Sequence, residues 1–122
     1  PNAKERGLRI ERLDMKPSTE PSRFRYSLLL TQIVDKHDYI QGGVEINLVG
    51  KLGEENRSLS MVDLAEDEKE DIRFRFRYFQ NIDGEFNVPD GFSPREIMIV
   101  AQSSGRGSQR LEKKFDWQLT GG

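Results

Sequence analysis

The chain has 122 residues, the length of one domain, with Lys+Arg 19 against Asp+Glu 21 and a formal net charge of -2. A charged fraction of 33% and a mean hydropathy of -0.73 indicate a highly polar surface around a small core, and the acidic balance disfavours a general nucleic-acid binder. The chain contains no Cys, which excludes disulfides, thiolate catalysis and Cys-ligated metals. No apolar run approaches the roughly 20 residues that span a bilayer, and no signal peptide is visible.

The first predicted element is a half-buried strand after a polar lead-in. Leu8 and Ile10 alternate with charged residues, which is the period of a strand with one wet face. Leu13 and Met15 continue the apolar positions out of phase. The shift in phase predicts a β-bulge near Arg12 or the end of the strand.

Two long strands are predicted next, after a loop over 16–22 that carries two prolines. They cover 23–34 and 39–52, and the turn 35–38 lies between them. We expect this pair to form an antiparallel hairpin, and we expect Gly42–Gly43 to mark a bulge or a sharp bend.

The middle of the chain carries weaker signals. A second turn is predicted over 50–58, and a short edge segment follows from Leu59. Helix propensity allows a minor, short helix within 61–70. The acidic stretch 65–71 is expected to be exposed.

The strongest strand pattern covers 72–80. Its apolar face is predicted to hold Ile72, Phe74, Phe76 and Tyr78, and its other face Arg73, Arg75 and Arg77. Asp83–Gly84 is interpreted as a turn, followed by a short strand through Phe86 and Val88.

A corner and a hairpin complete the chain. Pro89 and Gly91 predict a turn in which Gly91 takes a positive φ, Phe92 is expected to enter the core, and Pro94 is expected to open the last hairpin. Ile97, Ile99 and Ala101 alternate with Met98 and Val100, so both faces of that strand look buried. The tip of the hairpin is predicted over 103–108. On the return strand, Phe115 and Trp117 are expected in the core.

These signals predict an all-β fold. About seven short strands with regular turn signals and little or no helix favour an immunoglobulin-like antiparallel β-sandwich. We expect a single domain over 7–119, with 1–6 as a linker or cloning remnant and 120–122 as a tail.

The main candidate binding surface is cationic. Its residues are the strand arginines Arg23, Arg25, Arg73, Arg75 and Arg77. They are interpreted either as a solvent face that pairs with Asp and Glu on neighbouring strands, or as a face that binds a protein partner or an anion. Because the alternating aromatics lie on the opposite face, base stacking beside the arginines is not expected, and no nucleic-acid partner is predicted.

Three other candidate sites have weaker support in the sequence. The corner Pro89, Gly91, Phe92 and Pro94 is a possible ligand site. The acidic run Asp63, Glu66, Asp67, Glu68, Glu70 and Asp71 lacks the central Gly of a calcium loop, which leaves a solvated segment or a weak cation site. The single histidine, His37, is interpreted as a surface turn residue.

No catalytic residue, metal ligand or cofactor site is predicted. The "SSGRGS" segment lacks the lysine and the following helix of a phosphate loop, and its serines lack a nucleophile elbow.

The chain resembles uncharacterised bacterial membrane-anchored envelope proteins. The resemblance rests on Phe76, Tyr78, Phe79 and Gln80, on a corner formed by Gly84, Val88, Pro89, Gly91, Phe92 and Pro94, on Phe115 and Trp117, and on the stretches 25–32 and 42–50. It implies a transmembrane helix and a coiled coil ahead of this β-domain, which would then lie on the periplasmic side of the inner membrane. It implies no activity and no functional residue.

The function expected from the sequence is therefore non-enzymatic. The leading hypothesis is a protein-interaction or assembly domain, with a protein partner or a second copy bound through a strand edge or the arginines. A small-ligand or glycan-binding module is the alternative, and an enzyme is the third hypothesis.

Overall fold

A computed structural model describes residues 7–66 and 70–120 and shows two antiparallel sheets packed face to face. The strands of these residues are β1 (Gly7–Pro17), β2 (Arg23–Ile33), β3 (Ile40–Leu52), β4 (Glu55–Ser60), β5 (Ile72–Phe76), β6 (Phe79–Asn87), β7 (Phe92–Ser103) and β8 (Arg110–Asp116). A one-turn helix, α1 (Met61–Leu64), follows β4. Nowhere in the described ranges is a helix long and apolar enough to cross a bilayer.

The strand order is that of an immunoglobulin-like sandwich. One sheet has the order β1-β2-β6, and the other has the order β4-β3-β7-β8, with β5 paired to β3. If β1, β2 and β6 are lettered A, B and E, and β3, β7 and β8 are lettered C, F and G, the immunoglobulin pairings A-B-E and C-F-G are reproduced, with β4 beside C in the C′ position. The predicted all-β sandwich is confirmed.

The core lies between the sheets and follows the period-2 patterns. Fully or nearly buried side chains come from both sheets: Leu8, Ile10, Met15, Tyr26, Leu28, Leu30, Ile82 and Phe86 from one, and Val44, Ile46, Leu48, Phe74, Phe76, Phe92, Ile97, Ile99 and Ala101 from the other. Met61 of α1 is also buried, so the short helix closes one side of the core.

The bulge predicted near Arg12 is confirmed, whereas the bulge predicted at Gly42–Gly43 is wrong. The β1–β2 register shifts between Ile10 and Arg12, which moves Met15 onto the buried face. Along β3 the register with β7 is regular at Gly42–Gly43 and shifts between Val49 and Gly50. The glycine at 42 is needed for another reason, because a Cβ there would lie 1.9 Å from the carbonyl oxygen of Gln102.

The predicted hairpin between 23–34 and 39–52 is wrong. Both strands exist, but β2 pairs with β1 and β6, while β3 pairs with β4, β5 and β7. The intervening turn passes from one sheet to the other. Two strands that each bury one face can pair side by side or stack across a core, and the sequence pattern is the same in both cases.

The single strand predicted over 72–80 is divided in the structure. β5 ends at Phe76 in one sheet and β6 begins at Phe79 in the other, so the chain changes sheets at Arg77 and Tyr78. Tyr78, expected in the core, is 57% exposed. Two consecutive large side chains at 78 and 79 break the alternation, and this is the signal in the sequence that marks the change of sheets.

The predicted turn at Asp83–Gly84 is also wrong, because both residues lie within β6. A Cβ on Gly84 would lie 2.6 Å from the ring of Tyr26, its partner on β2, so the glycine makes room for that ring. Burial, together with the smaller effect of the Asp83 carboxylate, raises the pKa of Tyr26 to about 12. The phenol is therefore a neutral core group at physiological pH.

Thr120, the last of the described residues, is hydrogen-bonded to β1. The backbone N–H of Thr120 donates to the carbonyl oxygen of Met15 at 2.7 Å, and the Thr120 hydroxyl lies 3.1 Å from both the N–H and the carbonyl oxygen of Met15. The end of the chain thereby satisfies backbone groups of β1.

Replacing Thr120 with Val should lower the free energy of unfolding by about 1–3 kcal/mol, because it leaves the Met15 N–H without its acceptor at similar volume. Thr120→Ser, which keeps the hydroxyl, is the matched control and should stay close to the parent protein. Urea unfolding together with hydrogen exchange at the Met15 amide measures both variants. Equal stability and equal Met15 exchange for Val and Ser would contradict this role.

Candidate functional site

The five candidate arginines do not form one face. Arg23 and Arg25 lie on β2 of the three-stranded sheet, and Arg73 and Arg75 lie on β5 of the other sheet. Arg77 follows β5 at the crossing between the sheets. The predicted single cationic surface is therefore wrong as a set, and the two groups have different surroundings.

The arginines of β2 are neutralised by carboxylates. Arg23 lies 3.0 Å from Glu20 and contacts Glu66, and its Nε atom lies 3.1 Å from Glu85 without hydrogen-bond geometry. Arg25 lies 3.5 Å from Glu85. Arg23 and Arg25 therefore match the interpretation of a solvent face whose arginines pair with neighbouring carboxylates.

The arginines of β5 and of the crossing between the sheets differ from those of β2 in their ion pairing. Arg73, Arg75 and Arg77 are exposed, and none of them forms an ion pair with a carboxylate of residues 7–66 or 70–120. Phe74 and Phe76 point into the core between them, as the alternation predicted. In this respect the three arginines differ from Arg23 and Arg25, which contact carboxylates.

Aromatic side chains from other elements surround two of these arginines. The Arg75 guanidinium lies 3.9 Å from the centre of the Tyr39 ring, and Arg77 lies 5.8 Å from the same ring. Arg77 also lies 5.6 Å from the ring centre of Tyr78. All three distances fall within the range of cation–π attraction. Tyr39, Arg75, Arg77, Tyr78 and the adjoining Phe79 are called here the arginine–aromatic surface.

This surface is held in place by hydrogen bonds from the β2–β3 connection. The Gln32 amide nitrogen donates to the carbonyl oxygens of Asp38 at 2.9 Å and of Arg77 at 2.8 Å. The Arg77 Nε donates to the carbonyl oxygen of His37 at 3.1 Å. These bonds tie the β2–β3 connection to the crossing, so the two parts of the surface keep a fixed relative position.

His37 belongs to this scaffold. Its ring stacks on Tyr78 with centres 4.8 Å apart, and its Nε2 lies 3.1 Å from the carbonyl oxygen of Gln32. Its placement in a turn was predicted, but the stacking was not. Spacing in the sequence could not indicate it, since the two residues come from different elements.

The exposure of the aromatics is the unusual property of the surface. Tyr39 is 58% exposed and Phe79 is 61% exposed, although aromatic side chains of this size can pack in a core. Exposed clusters of aromatic residues with arginine are typical of binding surfaces, because they give large contact areas at small entropic cost. Tyr39 and Phe79 were absent from the predicted site residues.

The predicted ligand corner is built as a structural turn. The Phe92 N–H donates to the carbonyl oxygen of Pro89 at 3.1 Å, and Gly91 has a φ of 81°, as expected for this turn. The Phe92 side chain is buried. Pro94 lies within β7 rather than at its start, next to the register shift opposite Gly50.

The terminal aromatics also pack inward. Trp117 makes edge contacts with Phe24 at 5.0 Å and with Phe86 at 6.3 Å between ring centres. Phe115 and Trp117 are partly buried against the core. No cluster of exposed aromatics lies at the corner among the described residues, so the geometry there does not favour a glycan platform.

The acidic run is only partly described. Asp67 and Glu68 lie outside the described residues, and Glu66 pairs with Arg23. In the ranges 7–66 and 70–120, no three His, Cys, Asp or Glu side chains come together in a way that could hold a metal ion. A cation site is therefore not assembled from the described part of this run.

Residues 1–99 match the model of a protein family described as DUF6776, a family of unknown function. The chain belongs to the DUF6776 family. No curated protein and no solved structure matches the chain. The match covers β1 to β6 and most of β7, so it includes the whole arginine–aromatic surface. Membership agrees with the uncharacterised family expected from the sequence and assigns no activity, so the function of this DUF6776 domain must be argued from its surface.

Proposed function

We propose that this DUF6776 domain is a non-enzymatic protein-interaction domain that binds its partner through the arginine–aromatic surface. The observation that carries the proposal is the exposure of Tyr39, Tyr78 and Phe79 beside Arg75 and Arg77, which have no carboxylate partners in the described ranges. Tyr and Arg are among the residues that contribute most to binding at protein interfaces.

The electrostatics of the surface favour an acidic or carbonyl-rich partner. An arginine that is already ion-paired must give up that pair to bind, whereas Arg75 and Arg77 have no carboxylate partner to give up among the described residues. The Tyr39 ring lies 3.9 Å from the Arg75 guanidinium and restricts that side chain, so less side-chain entropy is lost on binding.

The outer edges of β1 and β8 offer less to a partner. The outer edge of β1 is covered, since Leu8 N–H donates to Gln109, Lys113 donates to the carbonyl oxygen of Ile10, and Thr120 binds Met15. The edge strand β8 alternates charged residues at 110, 112, 114 and 116, a pattern that discourages strand addition. The arginine–aromatic surface is therefore preferred over binding at either of these two edges.

Contrary to the expectation from the sequence, an exposed aromatic ring lies beside an arginine at this surface. The arginines and aromatics of β5 do lie on opposite faces, but Tyr39 comes from another element and lies under Arg75. The formal net charge of -2 still opposes a general nucleic-acid binder, and a protein partner remains the proposal.

The location is part of the same proposal. The resemblance to membrane-anchored envelope proteins supports a domain on the periplasmic side of the inner membrane, attached through a segment ahead of this chain. A phosphatase that is active only after export, fused after Gly122 of the intact protein, should be active in cells. An inactive fusion, with a cytoplasmic reporter active in the same position, would reject this location and leave the surface proposal standing.

A photo-crosslinking residue placed at Tyr78 of the intact protein in its native cell should capture one defined protein. The same residue at Asn56, an exposed position on β4, is the matched control and should not capture it. The double variant Arg75→Glu/Arg77→Glu should weaken binding of the purified, captured protein by about tenfold or more.

The double variant Arg57→Glu/Arg110→Glu makes the same change in charge elsewhere and should bind within about twofold of the parent protein. Binding through the arginine–aromatic surface should also weaken as salt rises, whereas strand-edge binding should not. Equal capture at Tyr78 and Asn56, or equal loss in both double variants, would reject the surface as the interface.

A further inference from the structure

A recess of about 580 Å³ opens at the end of the sandwich beside the arginine–aromatic surface. It lies between the β2–β3 connection, β5 and the β7–β8 loop. The residues that give it its chemistry are Lys36, Asp38, Tyr39, Ser104, Arg106 and Arg75. Its size falls in the range of small-ligand sites.

The charges that line this recess have one dominant sign. Lys36, Arg75 and Arg106 are positive, and Asp38 is the one carboxylate among the described lining residues. None of the three cations is ion-paired to a carboxylate in the described ranges. The lining therefore carries a formal charge of about +2, which a dianion complements and a single carboxylate does not.

The recess is also pre-organised on two sides. Arg75 is fixed over the ring of Tyr39 at 3.9 Å. The loop that carries Arg106 is anchored at both ends: Ser104 N–H donates to the carbonyl oxygen of Gln41 at 2.9 Å, and Gln109 N–H donates to the Ser103 hydroxyl at 2.8 Å. A ligand would meet the Arg75 guanidinium in a restricted position and the backbone of the Arg106 loop already anchored.

We propose that this recess binds a phosphate monoester. Such a group carries about two negative charges at neutral pH and offers three terminal oxygens to arginine, lysine and hydroxyl donors. The concave shape fits a discrete phosphorylated group, from either a soluble compound or a lipid headgroup. The recess shares Tyr39 and Arg75 with the arginine–aromatic surface, whereas Tyr78 and Phe79 do not line it.

Glycerol 3-phosphate is the first probe, and vesicles of phosphatidylcholine with and without phosphatidic acid are the second. Titration followed by amide NMR at about 0.15 M salt should shift Lys36, Ser104, Arg106 and Gly107 in a saturable way. The double variant Arg75→Gln/Arg106→Gln should weaken binding by about tenfold or more, since each lost charged hydrogen bond has an effect of that order.

The matched double variant Arg57→Gln/Arg110→Gln removes the same charge outside the recess and should bind within about twofold of the parent protein. Tyr78→Ser/Phe79→Ser should lose the protein partner and keep the phosphate ester, which separates the two proposals. Binding of the free ester assigns a soluble source, and binding only to phosphatidic acid vesicles assigns a lipid headgroup.

The proposal is overturned if neither probe binds, if the two double variants lose affinity equally, or if a tri-glutamate peptide binds at least as tightly as the ester. The last result would assign the recess to an acidic protein segment instead. Melting temperatures of all variants, followed by circular dichroism, show that the loss of binding does not come from unfolding.

Discussion

Replacing Phe86 with Ala should lower the free energy of unfolding by about 3–5 kcal/mol. The Phe86 side chain is fully buried, and its ring lies 5.9 Å from Phe24, 6.3 Å from Tyr26 and 6.3 Å from Trp117 between centres. Removing it opens a cavity in an aromatic cluster that joins β2, β6 and the end of the chain, and such cavities do not fully collapse.

Phe79→Ala is the matched control, because Phe79 lies on the same strand and is 61% exposed. Its effect on stability should stay within about 0.5 kcal/mol. Urea unfolding followed by circular dichroism measures both. Similar losses for the two variants would mean that β6 does not have the described register with β2.

Replacing Gly42 with Ala should lower the free energy of unfolding by about 3 kcal/mol or more. The added Cβ would lie 1.9 Å from the carbonyl oxygen of Gln102, a backbone atom that cannot move away without separating β3 from β7. The strain thus falls at the end of the β3–β7 ladder, where β3 also pairs with β5.

Gly43→Ala tests the same substitution one residue further along β3. The nearest atom to a Cβ at that position is Arg73 Nη1 at 3.5 Å, an ordinary contact. The free energy of unfolding of this variant should equal that of the parent protein or exceed it by about 0.4–1 kcal/mol, since alanine restricts the unfolded chain more than glycine does. If both glycine variants unfold at the same urea concentration, the close approach of β3 and β7 at Gly42 is not as described.

Local patterns in the sequence predicted most of the strands. The alternation in 72–80 predicted that Phe74 and Phe76 lie on the buried face of β5, and the phase shift after Ile10 predicted the bulge in β1. The corner at Gly91 was predicted because few residues other than glycine readily adopt a positive φ. Each of these properties depends on neighbours a few residues away, which the sequence shows directly.

The candidate site was predicted less well, because it is assembled from distant segments. Alternation correctly placed Arg73 and Arg75 on the exposed face of a strand, but it also placed Tyr78 in the core and left Tyr39 unmarked. The position of Tyr39 under Arg75 depends on β3 pairing with β5, a pairing between strands that are separated by about thirty residues.

For this protein, the sequence by itself determined the fold class, the alternation of core and surface, and the absence of cysteine chemistry. These follow from side-chain polarity and backbone preferences, which act over a few residues. Only the tertiary structure decided which strands pair, where the chain changes sheets, and which arginines contact carboxylates. A strand with one apolar face can satisfy its hydrogen bonds with several partners, and the choice among them is made by the packing of the whole core.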